Sequence, residues 1–262
     1  MNIIEKIIEE KKKNISELKK LHGERIFSTK KSELSFYENL RKSEYLSVIA
    51  EIKPKSPSHG EMLNETEIES IINLYKKFDV NAISVLTDEK FFGGSFDLLS
   101  KVADMTQIPV LAKDFIIDKI QIDMAVLSGA SAVLLISDIL DDKKLEELYE
   151  YTISKKIDVL VEAHSVENIK RAIQLNPSII GINNRNLFTL EEDLNHSIKV
   201  REFLPDDILK IALSSVKSRE DAIKMAEAGY DGILIGSVIM KAFNKSAALN
   251  SFKKIEKTKV LV

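Results

Sequence analysis

The sequence predicts an α/β protein, a (β/α)8 TIM barrel with a helical N-terminal extension. Three observations lead there. Eight short runs rich in β-branched residues recur along the chain, at 47–52, 82–86, 110–112, 132–136, 159–161, 179–182, 210–213 and 232–235. Amphipathic stretches such as "ETEIESIINLYKKF", "DDKKLEELYEYTISKK" and "SREDAIKMAEAG" lie between them, and short buried strands alternating with helices mean parallel βαβ units. Eight such units need roughly 250 residues when closed into a barrel, and the chain has 262. An open doubly wound sheet is the main competitor. The regularity of the eight units and the lack of G-x-G-x-x-G after the first strand count against it.

Taken in order, the first 45 residues precede the first strand and show helical patterns at 2–21 and 35–42. They read as an extension packed on the barrel, so that 1–262 forms a single domain. The "KKK" at 11–13 reads as a solvated helix face. No linker or low-complexity segment interrupts the βα units. The stretch "SREDAIKMAEAG" has Ser218 placed as N-cap and Gly229 just past its end. Apolar stripes that include Met225 and Phe252 read as core.

Composition narrows the class. Without cysteine there are no disulfides and no thiolate metal sites, which suits a reducing compartment and a cytoplasmic protein. The start, "MNIIEKIIEEKKKN", is too charged for a signal peptide, and no apolar run reaches the ~18 residues of a membrane span. With a net charge of −3 and lysines interspersed with glutamates, no nucleic-acid-binding face is expected.

The polar residues at strand ends carry the chemistry. In a barrel, inward residues alternate with helix-facing ones, and active sites gather at the C-terminal ends of the strands. Glu51 and Lys53 share one face of the first strand; an isolated pair of this kind would read as a salt bridge. Lys113 ends the third strand, Glu162 the fifth and Asn183 the sixth. Two lysines, two glutamates and an amide converging on one mouth are costly as packing, and the catalytic reading is preferred. Alternation along "IALS" points Ala212 and Ser214 inward and sends Leu213 toward the helices, unless the strand has already ended. A phosphate is expected at the loops after the seventh and eighth strands. There Ser214-Ser215 and Gly236-Ser237 offer hydroxyls and backbone N–H groups, and Ser56 and Ser58 add to them from the first-strand loop. The four histidines, His22, His59, His164 and His196, show no metal spacing; His59 and His164, near strand ends, read as loop residues. No metal site and no cofactor is expected.

These residues sit in segments that resemble the indole-3-glycerol-phosphate synthase family of tryptophan biosynthesis: "IAEIKPKSPSHG", "DEKFFGGSFDLL", "PVLAKDFIID", "QIDMAVLSGASAVLLI", "VEAHSVENI", "GINNRNLFTLEEDL" and "ILIGSVIM". The similarity runs from about residue 45 almost to the C-terminus, and the helical extension fits a family in which such a segment covers the barrel mouth. The resemblance implies a lyase that closes an indole ring from 1-(2-carboxyphenylamino)-1-deoxyribulose 5-phosphate with loss of carbon dioxide and water. It implies Lys113 as the acid for ring closure and Lys53 as the cation holding the substrate carboxylate. Glu162, oriented by Asn183, would meet developing positive charge, and Glu51 would assist proton transfer in dehydration. Ser56, Ser214, Ser215, Gly236 and Ser237 would hold the phosphate, Phe92 and Phe115 would wall the aromatic ring, and Arg185 would support the site. The implied partner is a small phosphorylated substrate, with room for other enzymes of the same pathway.

The chain departs from the family at Leu213-Ser214-Ser215, where Glu-Ser-Gly is usual, and at Ala112 and Lys119-Ile120, where Arg and Pro-Tyr are common. The first departure bears on rate and phosphate affinity. Two other readings stay open. One is another phosphosugar barrel such as phosphoribosylanthranilate isomerase, which works with a Cys/Asp or Asp/Asp pair not visible here. The other is a barrel that binds such a sugar phosphate without turning it over.

Overall fold

The computed structural model describes residues 2–23, 32–57 and 60–258. The extension forms α1 (Ile3–His22), opened by a capping box between Asn2 and Glu5, and α2 (Phe36–Arg41), N-capped by Ser35. Then β1 (Ser47–Ile52) leads into a small antiparallel hairpin, β2 (Lys55–Ser56) and β3 (Gly60–Glu61). The remaining units are α3 (Glu65–Lys77), β4 (Ala82–Leu86), α4 (Glu89–Phe92), α5 (Phe96–Met105), β5 (Val110–Lys113), α6 (Lys119–Leu127), β6 (Ala132–Ile136), α7 (Asp142–Ser154) and β7 (Asp158–Ala163). They continue with α8 (Val166–Gln174), β8 (Ile179–Asn183), α9 (Asn195–Val200), β9 (Leu209–Leu213), α10 (Arg219–Glu227), β10 (Gly232–Ile235), α11 (Ser237–Met240) and α12 (Lys245–Ser251). Strands β1 and β4 to β10 close a parallel barrel in the order β1-β10-β9-β8-β7-β6-β5-β4.

Four strands run one to three residues longer than composition predicts. Their polar ends stay in the ladder because neighbours pair with them: Leu86 with Lys113, Ile136 with Glu162, Asn183 with Leu213. The β2–β3 hairpin was not legible, being only two residues a side and rich in Pro and Ser.

Alternation sorts the strand residues into two apolar layers. Val48, Ala50, Val85, Val133, Val161, Ile180, Ala212 and Ile233 face the helices. Ile49, Leu111, Leu134, Leu160, Ile179, Ile211, Leu213 and Leu234 fill the barrel. Leu213 therefore points inward and Ala212 outward, the reverse of the phase read from "IALS". The register decides it, since Leu213 pairs with Asn183 on one side and Leu234 on the other, both inward.

The extension divides between the two ends of the barrel. On α1, Ile4 and Ile7 join the interior cluster at the mouth. Helix α2 plugs the opposite end, where Phe36 and Leu40 are fully buried. There Asp158, which opens β7, accepts from the Tyr37 N–H at 2.9 Å and the Ser35 hydroxyl at 3.1 Å, and Leu40 O accepts from the Ser47 hydroxyl at 3.0 Å. Side chains of this size contribute about 1.5–3 kcal/mol each when fully buried. The lysine run also departs from expectation. Lys12 and Lys13 are exposed, but Lys11 is buried.

Candidate active site

At the mouth, Glu51 is almost wholly buried and pairs with Lys53. Its backbone carbonyl accepts from the Tyr75 hydroxyl at 2.9 Å, which fixes the end of β1. Across the barrel, Asn183 Nδ2 donates to Glu162 Oε1 at 2.7 Å, and Asn183 Oδ1 accepts the Arg185 N–H at 2.9 Å. Glu162 Oε2 is buried with no hydrogen-bond partner among the described residues. An orphaned buried carboxylate oxygen is rare in a structural role. The Lys113 ammonium makes no hydrogen bond or ion pair among the described residues, yet its charge acts on both Glu51 and Glu162.

The two carboxylates are pushed in opposite directions. Burial would raise Glu51, but Lys53, Lys113 and Arg185 outweigh it and hold that carboxyl below its ordinary range. For Glu162 burial prevails over Lys113 and the Asn183 amide, and its carboxyl is raised. Paired groups with pKa values driven apart are how a site separates a permanent charge from a proton carrier.

These groups line a cavity of about 810 Å³, within the usual size of small-molecule sites. Of the residues singled out above for catalysis or binding, Glu51, Lys53, Lys113, Glu162 and Asn183 border it, with Ser56, Phe92, Phe115, Arg185, Ser214, Ser215, Gly236 and Ser237. Part of the lining is apolar. The Phe92 and Phe115 rings lie 6.1 Å apart, and α1 adds Ile3, Ile4 and Ile7. Ser56, Ser214, Ser215 and Ser237 line it as well. Ser214 and Ser215 both hold left-handed backbone, with φ of 64° and 63°. Gly236 lies so close to Glu51 that a Cβ would stand 2.4 Å from Oε1, so this position admits only glycine without moving the carboxylate. Ser58 and His59 lie outside the described residues.

Sequence reasoning missed other lining residues. Glu192 and Lys217 border the cavity with Arg185, and Glu192 pairs with both cations. Burial would raise Glu192, but Lys217 and Arg185 prevail and lower it. Glu192 lies in a loop between elements, where no periodicity marks it. Ile3, Ile4 and Ile7 do show helical spacing, but spacing does not say where a helix docks. The His164 and His196 rings stack at 4.2 Å outside the cavity, with His164 Nδ1 2.7 Å from Asn183 O. Among the described residues no group of three or more His, Cys, Asp or Glu is placed to hold a metal, and no helix is long and apolar enough to cross a membrane.

A family model described as indole-3-glycerol phosphate synthase matches residues 4–252. A curated indole-3-glycerol phosphate synthase of Bacillus cereus is 41% identical over 251 residues, covering 95% of this chain and 96% of the relative. That of Staphylococcus saprophyticus is 39% identical over 265 residues, covering 99% and 100%, and that of Staphylococcus haemolyticus is 45% identical over 201 residues, 77% of each. Among solved structures, 3-hexulose-6-phosphate synthase from Salmonella typhimurium superposes with a TM-score of 0.64 at 12% identity, covering 79% of this chain and 96% of that one. At that identity the likeness speaks for the barrel alone.

Proposed function

The chain belongs to the indole-3-glycerol phosphate synthase family, and on that premise we propose how its own residues close the indole ring. The protein is a carbon–carbon lyase acting on a small phosphorylated substrate. The phosphate of 1-(2-carboxyphenylamino)-1-deoxyribulose 5-phosphate lies against Ser214, Ser215, Gly236 and Ser237 with Ser56, and its aromatic ring lies between Phe92, Phe115 and the α1 isoleucines. Lys53 holds the ring carboxylate. As the carboxylate-bearing ring carbon attacks the ketone carbon, Lys113 gives its proton to the ketone oxygen. Carbon dioxide then leaves, returning its bonding pair to the ring. The new hydroxyl takes a second proton from an acid group of the mouth and departs as water, and a carboxylate removes the last ring proton to form the indole.

The observation that supports this reading best is that the Lys113 charge acts on two buried carboxylates, Glu51 with its pKa lowered and Glu162 with its pKa raised. It also refines the division of labour. Glu162, with its raised pKa and free oxygen, suits the proton carrier, while Glu51, tied to Lys53, suits a fixed charge. The setting is the cytoplasm, and further partners would be enzymes of the same pathway.

The test is turnover by purified protein without added metal. The chain has no Trp, so indole emission reports product directly. Lys113→Ala is expected to lower kcat by about 10²–10⁴-fold with little change in KM, whereas Lys53→Ala raises KM as well. Substrate binding with no rise in emission would favour the non-catalytic barrel instead.

A further inference from the structure

Lys11 lies one turn beyond Ile7, on the α1 face that presents Ile4 and Ile7 to the cavity. Its side chain is only 6% exposed, with Nζ 2.7 Å from Asp114 Oδ1, 2.9 Å from Asp114 Oδ2 and 2.9 Å from Asp88 Oδ2. Burial alone would lower its pKa, but the two aspartates outweigh burial and raise it, so the ammonium stays charged.

Both aspartates hold up pieces of the site. Asp114 directly follows Lys113, and it accepts the Phe115 N–H at 2.7 Å and the Thr87 hydroxyl at 2.9 Å. Asp88 N-caps α4 through the Phe91 N–H at 2.7 Å, and α4 ends in Phe92. One ammonium from the extension therefore joins the turn carrying Lys113 and Phe115 to the turn carrying Phe92. Two other α1 pairs reach the same region, Glu10 with Lys90 and Lys19 with Asp118, but both involve exposed side chains. Exposed pairs contribute little, whereas removing the cation from a buried cluster leaves carboxylates uncompensated.

We propose that Lys11 is a positioning residue for the lyase reaction, coupling closure of α1 over the mouth to the placement of Lys113, Phe115 and Phe92. The proposal rests on the synthase reading.

The test compares Lys11→Met, Lys11→Arg and, on the same helix, Lys13→Met, by steady-state kinetics and amide hydrogen exchange. Lys11→Met is expected to lower kcat by about 10–100-fold, the scale of a small misplacement of reacting groups. Exchange should quicken over 3–22, 88–92 and 113–118 but not in the barrel strands. Lys11→Arg should recover kcat to within about fivefold, and Lys13→Met should match the native protein. If Lys11→Met loosens α1 but keeps kcat and KM within about twofold, Lys11 is only an anchor and the proposal falls. A lowered kcat with unchanged exchange also overturns it. Should Lys11→Met fail to fold, Lys11→Arg decides: native exchange with kcat lost overturns the proposal, and native exchange with kcat kept supports it. Native protein that shows no turnover sinks the synthase reading. The exchange pattern at 88–92 and 113–118 then still reports whether Lys11 orders the two turns.

Discussion

Glu51 and Glu162 have the same side chain in the same cavity and opposite electrostatic fates. Glu51 sits below its ordinary value of 4.5 in the folded protein, so its contribution to stability is full above that pH and is lost as pH falls through the lowered value. Glu162 sits above 4.5; the folded state holds its proton longer, so stability declines as pH rises from 4.5 through the raised value. The Asn183 amide is one of the groups restraining that rise. Asn183→Leu is therefore expected to move the acid limb of the kcat/KM profile to higher pH, because activity needs ionised Glu162. A limb that stays in place would mean another group titrates there. Leu213 is the second residue whose position matters. It is buried, and a Cβ added to Gly181 would lie 2.7 Å from its Cδ1. Leu213→Glu should cost about 1–3 kcal/mol in urea unfolding, since a carboxylate enters a packed layer, and should lower turnover less than loss of Lys113. Unchanged stability would show the site already open to solvent.

At the scale of elements, the loop after β9 puts two adjacent non-glycine residues in a backbone region that favours glycine. Two consecutive serines in left-handed conformation are unfavourable by roughly 1 kcal/mol each relative to glycine. Ser215→Gly relieves one of them, although the freer unfolded chain takes back part of the gain. The expected outcome is stability unchanged or raised by up to about 1 kcal/mol, with a KM equal to or a few-fold below native. A KM raised tenfold would show that the Ser215 side chain itself holds the phosphate.

In the whole molecule, the two ends of the barrel do different work. The mouth concentrates imperfectly paired charge, while the opposite end is closed by α2, and beside it Lys210 ties down the segment that leads into β9. The Lys210 ammonium donates to Ile208 O at 2.7 Å, Asp206 O at 3.1 Å and Pro205 O at 3.3 Å. Lys210→Met leaves these carbonyls short of a donor, for about 1–3 kcal/mol. It should lower the unfolding midpoint and leave kcat and KM alone. A fall in kcat in the fully folded variant would show the ends to be coupled. Placement of function at the C-terminal ends of the strands and stability at the other end is general for this architecture.

How much of this was legible in the sequence follows from what each feature depends on. The eight strands, the helices α1, α2, α3, α7 and α10, the last with its Ser218 cap, and the strand-end residues Glu51, Lys53, Lys113, Glu162 and Asn183 were readable, because periodicity and capping are local properties of consecutive residues. The phase of Leu213 was not, because inward and outward were settled by pairing with Asn183 and Leu234. Nor was the burial of Lys11 within an apparently solvated lysine run, since Asp88 and Asp114 reach it only across the fold. Glu192 joined the cavity through a loop that carries no period. The sequence by itself determined which groups exist and which element carries each. Only the tertiary structure decided which charges meet, because charge pairing depends on distance through space and on exclusion of water, and neither is written in the order of residues.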